Sequence, residues 1–193
     1  MSSDAHERLT ASVRRLIDAT IRTEVDLAAI ADAADKIDAA TARLSDSLLP
    51  GSFGVQTTPD GRSIALGNVV IGRRNPIAPP LVVDHDADGA VHTDFVLGAA
   101  YEGPPGHVHG GICALILDHV LGATAHKPDQ PAVTGTLTLR YVRGTRLGQR
   151  LRAQARVNRI DGTKTFAVGS ISDSDGVTVE AEGIFIHPRK TPG

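Results

Sequence analysis

The chain has 193 residues, a mass of 20.2 kDa, a formal net charge of −2 and a sequence pI near 6.4. Hydrophobic residues make up 41% and charged residues 22%, a composition typical of a folded domain rather than of a disordered or membrane-embedded chain. The balanced charge and the 3% aromatic content argue against nucleic acid as a partner. No run is apolar enough for a membrane span, no secretory pattern opens the sequence, and Cys113 is the single cysteine. We therefore expect a soluble, cytoplasmic protein without an internal disulfide or a cysteine-based zinc site.

The first 50 residues differ in composition from the rest, with nine acidic residues, six basic residues and no glycine. Apolar residues recur at steps of three and four from Leu9 to Leu48, which predicts one long amphipathic helix or two helices with a short break. The Pro50-Gly51 pair marks the end of this region. We predict a helical extension over residues 1–50, which either packs on the main domain or serves as a lid or dimerisation arm. The main domain is then residues 51–193.

Strand-like segments follow, separated by turns rich in glycine, proline and aspartate. Residues 81–84 and 90–97 flank an Asp-Ala-Asp-Gly turn, which predicts a hairpin. Four alternating segments occupy residues 133–143, 151–159, 164–172 and 177–187, and Asp-Gly turns join the last three. Between these groups, residues 110–126 are apolar almost all round, which predicts a buried helix. The predicted fold class is α+β, an antiparallel sheet curled around one central buried helix, with the N-terminal helical extension.

The apolar helix contains a carboxylate, Asp118, and it begins with His109-Gly110-Gly111. A buried carboxylate pairs, takes a proton or does chemistry. Two glycines at a helix start leave backbone N–H groups at the positive end of the helix dipole, where a developing oxyanion is stabilised. Asp118 lies about 10 Å along the axis from Gly111, so one helix does not easily present both groups to one carbonyl. We therefore predict a dimer with shared active sites, although Asp118 paired with an arginine for structural reasons is the alternative.

The order His-Gly-Gly followed by Asp118, nine positions after the histidine, resembles the motif of the hotdog-fold thioesterase superfamily, in particular its phenylacetyl-CoA thioesterase type. The segment at residues 101–111, Tyr-Glu-Gly-Pro-Pro-Gly-His-Val-His-Gly-Gly, and the strand at residues 133–141 are similar to those of thioesterase superfamily members four and five. The resemblance covers roughly residues 65–187 and leaves out residues 1–50. Some relatives place Asn or Gln six residues before the histidine, where this chain has Gly103.

The resemblance implies a hotdog fold and an acyl-CoA thioesterase, which hydrolyses the thioester to coenzyme A and a carboxylic acid as a homodimer or homotetramer. Asp118 matches the catalytic acid, as nucleophile or as general base for water. Gly110 matches the residue whose N–H polarises the thioester carbonyl, and Gly111 lies beside it at the substrate. Thr134 matches a polar residue that assists water or substrate, and His109 matches a catalytic-motif residue that shapes the loop and contacts the substrate carbonyl. No metal or redox cofactor is implied.

Seven arginines fall within twenty residues from Arg140 to Arg159. Arginine suits bidentate phosphate contacts, so this stretch is a candidate site for the phosphates of coenzyme A, with Arg143 and Arg150 as the preferred residues. A solvated strand face is the alternative. His107, His109 and His119 have poor spacing with Asp118 for a metal site, and Cys113 is expected to be an inert buried thiol.

Two other functions remain open from sequence. A non-hydrolytic acyl-CoA-binding or regulatory domain of the same fold is one, but such a domain gains little from burying Asp118. A hotdog hydratase is the other, and it requires a catalytic Asp-His arrangement for which this sequence offers no candidate pair.

Overall fold

The computed structural model describes residues 2–57, 63–126 and 131–188. The chain contacts form two compact units, Met1–Ile77 and Ala78–Gly193. The domain boundary that the composition predicts at residue 50 remains a prediction. In the described parts of the chain, no helix is both long and apolar enough to cross a membrane.

The first unit contains two helices, α1 (Ser2–Arg22) and α2 (Leu27–Ser45), followed by the short strands β1 (Gln56–Thr57) and β2 (Ser63–Ile64), which pair antiparallel. Of the two alternatives predicted from sequence, two helices with a short break is therefore confirmed. The break is set by Asp26, whose carboxylate accepts a hydrogen bond from the Ala29 N–H at 2.8 Å and so begins α2. α2 ends at Ser45, earlier than the Pro50-Gly51 pair indicated.

The second unit is built on a six-stranded antiparallel sheet with the order β3-β4-β6-β7-β8-β5. Its strands are β3 (Asp84–His85), β4 (Val91–Val96), β5 (Val133–Tyr141), β6 (Arg150–Asp161), β7 (Lys164–Asp173) and β8 (Gly176–Ile186). The predicted hairpins are all present, with Gly89 and Gly162 adopting the positive φ that their tight turns require. The first predicted strand, residues 81–84, is wrong in extent, because only Asp84 and His85 pair with β4.

The helix α3 (Gly110–Ala125) lies against the sheet where it was predicted. One side of it is buried against β6, β7 and β8, while Asp118 and the other side are half-buried in the single chain. This arrangement of a curled sheet around a central helix is the hotdog fold predicted above. The buried residues of α3 are Cys113, Ile116, Leu117, Val120, Leu121 and Ala125.

Candidate active site

The loop before α3 is held in place by backbone hydrogen bonds to the turn that follows β5. Val108 N–H donates to the Thr145 carbonyl at 2.8 Å, and Leu147 N–H donates to the Gly106 carbonyl at 3.0 Å. Within the loop, the Glu102 carboxylate accepts a hydrogen bond from the Gly106 N–H at 2.7 Å. These bonds fix the direction in which the chain enters the helix, so the start of α3 has a defined position.

His109 is the N-cap of α3. Its backbone is extended, and its Nδ1 accepts a hydrogen bond from the Gly111 N–H at 3.0 Å. The sequence predicted two bare N–H groups here, and the structure differs because the imidazole occupies one of them. Within the described residues, the Gly110 N–H has no acceptor, so it is the group at this helix start that is available to a ligand. Because Nδ1 accepts, the proton of the neutral ring is on Nε2.

The glycines around His109 lie in tightly packed surroundings. A Cβ on Gly111 would lie 3.1 Å from His109 Nδ1, and a Cβ on Gly110 would lie 3.2 Å from the Tyr141 hydroxyl oxygen. A Cβ on Gly103 would lie 2.7 Å from His109 Cα, too close for any side chain without a backbone shift. The absence of Asn or Gln at Gly103 therefore follows from how tightly this loop packs on His109.

Asp118 and Thr134 meet between α3 and β5. The Thr134 hydroxyl donates a hydrogen bond to Asp118 Oδ1 at 2.8 Å. Asp118 Oδ2 receives no hydrogen bond from the part of the chain that the structure describes. The hydroxyl therefore orients the carboxylate and leaves one of its oxygens free.

The Gly110 N–H and the Asp118 carboxylate lie far apart in one chain. Eight residues of helix separate them, which corresponds to about 12 Å along the axis. A single carbonyl carbon cannot be within reach of both groups at that separation. In one chain the Gly110 N–H and the Asp118–Thr134 pair are therefore two separate groups, one at the start of α3 and one near its middle.

Tyr141, at the end of β5, was not singled out from the sequence. Its hydroxyl donates a hydrogen bond to the Gly110 carbonyl at 2.9 Å, although 31 positions separate the two residues. Desolvation raises the pKa of the Tyr141 phenol above its ordinary value, and the Cys113 thiol adds to that effect. No pattern in the sequence links Tyr141 to the helix start, because the contact depends on β5 running beside α3.

The two preferred arginines have different surroundings. Arg143 makes a bidentate ion pair with Asp173, with Nη1 to Oδ2 at 2.9 Å, and also donates to the Gly176 carbonyl at 2.7 Å. The Arg150 side chain is 81% exposed, and within the described residues it makes one loose ion pair, 3.8 Å from Asp94. Arg143 therefore holds the β7–β8 turn, whereas Arg150 presents its guanidinium to solvent.

The remaining titratable groups of α3 are partly or fully withdrawn from solvent. Burial lowers the pKa of His119, an effect that the charge of Asp118 opposes. Cys113 is buried with its sulfur 3.8 Å from the Thr145 hydroxyl, and burial raises the pKa of its thiol, as expected for an unreactive cysteine. Among the described residues, no group of three His, Cys, Asp or Glu side chains is placed to hold a metal ion.

A groove of about 710 Å³ lies elsewhere, across the strands of the sheet. Polar side chains of β4, β5, β6, β7 and β8 contribute to its walls, among them Arg152, Arg156, Glu180 and Glu182. Neither Gly110 nor Asp118 borders it. The groove therefore has no part in the candidate active site.

Comparison with known proteins places this geometry in a family. The family model of the thioesterase superfamily matches residues 105–180, which include the loop, α3, Asp118 and Thr134. The crystal structure of protein RHA08564, a thioesterase superfamily protein, is 34% identical in sequence with a TM-score of 0.84, and the match covers 94% of each chain. This chain belongs to the thioesterase superfamily. The resemblance found from the sequence motif is thereby confirmed.

Two further comparisons bear on this thioesterase superfamily member. Acyl-coenzyme A thioesterase THEM4 from Xenopus laevis is 34% identical over 94 residues, which are 48% of this chain and 42% of that protein. The chain thus matches less than half the length of that relative. The Escherichia coli PaaI protein from the phenylacetic acid degradation operon is 15% identical with a TM-score of 0.53, over 57% of this chain and 80% of that chain. The PaaI comparison shows a shared fold.

Proposed function

We propose that this superfamily member is an acyl-CoA thioesterase, which uses water to split an acyl-CoA into coenzyme A and a carboxylic acid. The observation that carries the proposal is the Asp118–Thr134 hydrogen bond at 2.8 Å, together with the unoccupied Gly110 N–H at the start of the same helix. Family membership and the similarity to an acyl-CoA thioesterase support the same reaction.

In the proposed reaction, the thioester carbonyl oxygen accepts a hydrogen bond from the Gly110 N–H, at the positive end of α3. This contact stabilises the negative charge that develops on the oxygen during attack. The Asp118 carboxylate either takes a proton from the attacking water, or attacks the carbonyl carbon itself to form a mixed anhydride that water then hydrolyses. In both routes the acyl C–S bond breaks, and the sulfur of coenzyme A leaves as a thiolate that takes up the proton released by water. The Thr134 hydroxyl holds Asp118 Oδ1, which leaves Oδ2 for water or substrate. His109 occupies the Gly111 N–H and so directs substrate to Gly110.

The proposed active unit is a homodimer or a homotetramer of such dimers, with Gly110 from one chain and Asp118 from its partner at each site. The axial separation of about 12 Å within one helix supports a shared site. The position of β5 supports it as well, because this nine-residue strand forms one edge of the sheet and is largely exposed. An uncovered edge strand is a template for pairing with a second copy. A two-fold axis beside β5 would bring both α3 helices together.

The turn that follows β5 is proposed to bind the phosphates of coenzyme A. Arg150 is the more suitable residue, because its side chain is exposed and only loosely paired. Arg143 belongs to the same turn, but most of its donors are engaged by Asp173 and Gly176, so its main contribution is to position the turn. A cytoplasmic location stays a prediction from the sequence.

The proposed function is tested by incubating the purified protein with acyl-CoAs of increasing chain length and with phenylacetyl-CoA, while a thiol reagent detects released coenzyme A. We expect turnover with at least one member of the panel. Calorimetric titration with the same substrates separates hydrolysis from binding without hydrolysis. Binding without release of thiol would contradict hydrolysis and favour a non-hydrolytic acyl-CoA-binding domain.

A further inference from the structure

The peptide unit that joins Gly110 to Gly111 is held at both ends by side chains. Its carbonyl oxygen accepts the hydrogen bond from the Tyr141 hydroxyl at 2.9 Å, and its N–H donates to His109 Nδ1 at 3.0 Å. The two side chains come from different elements, β5 and the N-cap of α3. Both contacts therefore fix one peptide plane at the first turn of the helix.

This double contact matters because two consecutive glycines would otherwise be loose. Glycine has more accessible backbone conformations than other residues, so a Gly-Gly start loses more entropy on being ordered. The His109 contact closes a short ring that contains the Gly110 N–H, and the Tyr141 contact ties that ring to the sheet. The direction of the Gly110 N–H is thus set by groups that do not touch it.

We propose that Tyr141 is a positioning residue, which holds the Gly110–Gly111 peptide so that the Gly110 N–H points at the reacting carbonyl. The role rests on the proposed function, since it orients the oxyanion donor of that reaction. The close fit between Tyr141 and Gly110 is a second observation. A Cβ on Gly110 would lie 3.2 Å from the hydroxyl oxygen and 3.3 Å from the ring carbon Cε1. The ring of Tyr141 therefore lies beside Gly110, with its hydroxyl on the Gly110 carbonyl.

The test compares Tyr141→Phe, which keeps the ring and removes the hydroxyl, with Thr138→Val, which removes an exposed hydroxyl from the same strand. We expect Tyr141→Phe to lower kcat about fivefold, the size of one neutral hydrogen bond, with KM within about twofold of wild type. Thr138→Val should change neither constant. Amide hydrogen exchange at Gly111 should speed up about fivefold in Tyr141→Phe, while exchange at Leu117 in the middle of α3 stays the same.

An unchanged kcat, or unchanged exchange at Gly111, would overturn the positioning role. Faster exchange at Leu117 together with a lower Tm would also overturn it, because the hydroxyl would then stabilise the fold as a whole. If the wild-type protein hydrolyses no thioester, the proposed function fails by itself. The exchange at Gly111 still decides in that case whether Tyr141 holds the peptide.

Discussion

The Thr134 hydroxyl donates to Asp118 Oδ1 at 2.8 Å across the space between β5 and α3. The two residues lie sixteen positions apart, and the four residues 127–130 between their elements are outside the described chain. The bond satisfies one of the two carboxylate oxygens, and within the described residues the other oxygen receives no hydrogen bond.

Removal of this hydroxyl should slow catalysis more than it weakens binding. We expect Thr134→Val to lower kcat about tenfold with a small change in KM, because a charge-assisted hydrogen bond is lost and the side-chain volume is kept. Thr134→Ser retains the hydroxyl and should keep most of the activity. Steady-state kinetics with the best acyl-CoA of the panel gives kcat and KM for the valine and the serine variant. Equal activity of the valine and serine variants would show that the contact is incidental.

The sequence predicted α3 to within one residue, because a run of apolar residues between glycines and a proline is a strong local pattern. It also predicted the hairpins, whose turns depend on Asp and Gly at adjacent positions. The contacts that define the site are of another kind. Tyr141 reaches Gly110 over 31 positions, and Arg143 reaches Asp173 over 30. Such contacts depend on which strands become neighbours, and composition does not encode that. Thr134 was identified through family resemblance and not from its own pattern.

The shared site predicts complementation between two inactive variants. Asp118→Asn keeps the Gly110 N–H, and Gly110→Pro keeps the carboxylate while removing that N–H. A heterodimer isolated through two different affinity tags would hold one complete site of two, and we expect about half of the wild-type activity per dimer. Each variant alone should be inactive. Verified heterodimers without activity would contradict a site formed by two chains.

Arg150 and Arg143 should differ in what their removal changes. Arg150→Ala is expected to raise KM for acyl-CoA and leave kcat nearly unchanged, because an exposed phosphate contact serves binding. The effect should shrink with added salt, since exposed charges are screened over about 10 Å at 0.1 M. The rise in KM should also disappear with an acyl-pantetheine, which lacks the nucleotide phosphates.

Arg143→Ala should lower the Tm as well as raise KM, because it breaks the ion pair with Asp173. Equal losses of affinity by Arg150→Ala for both substrates would assign Arg150 to the structure of the turn.

The Arg143–Asp173 pair predicts a stability difference that depends on pH. The hydrogen bond from Arg143 lowers the pKa of Asp173 from 3.8 to about 2. A carboxyl whose pKa is lower in the folded state stabilises the fold above its unfolded pKa, and it loses that contribution as the pH falls through the folded pKa. Asp173→Asn should therefore have a lower Tm than wild type at pH 7, and the two curves should converge between pH 4 and about 2. A Tm difference that stays constant over this range would show that the ionised carboxylate is not responsible.

Asp118 is proposed to act on the thioester itself, and the variant Asp118→Asn removes that chemistry while it keeps the shape of the side chain. Asparagine keeps the size of the side chain and can still bond with Thr134, but it is neither a base nor a carboxylate nucleophile. The measurement is kcat with the best acyl-CoA, alongside the calorimetric Kd of the matching thioether analogue, which neither protein can hydrolyse. We predict a loss in kcat of about 10²-fold or more while the Kd stays within about threefold of wild type. Near-wild-type turnover by Asp118→Asn would contradict the account.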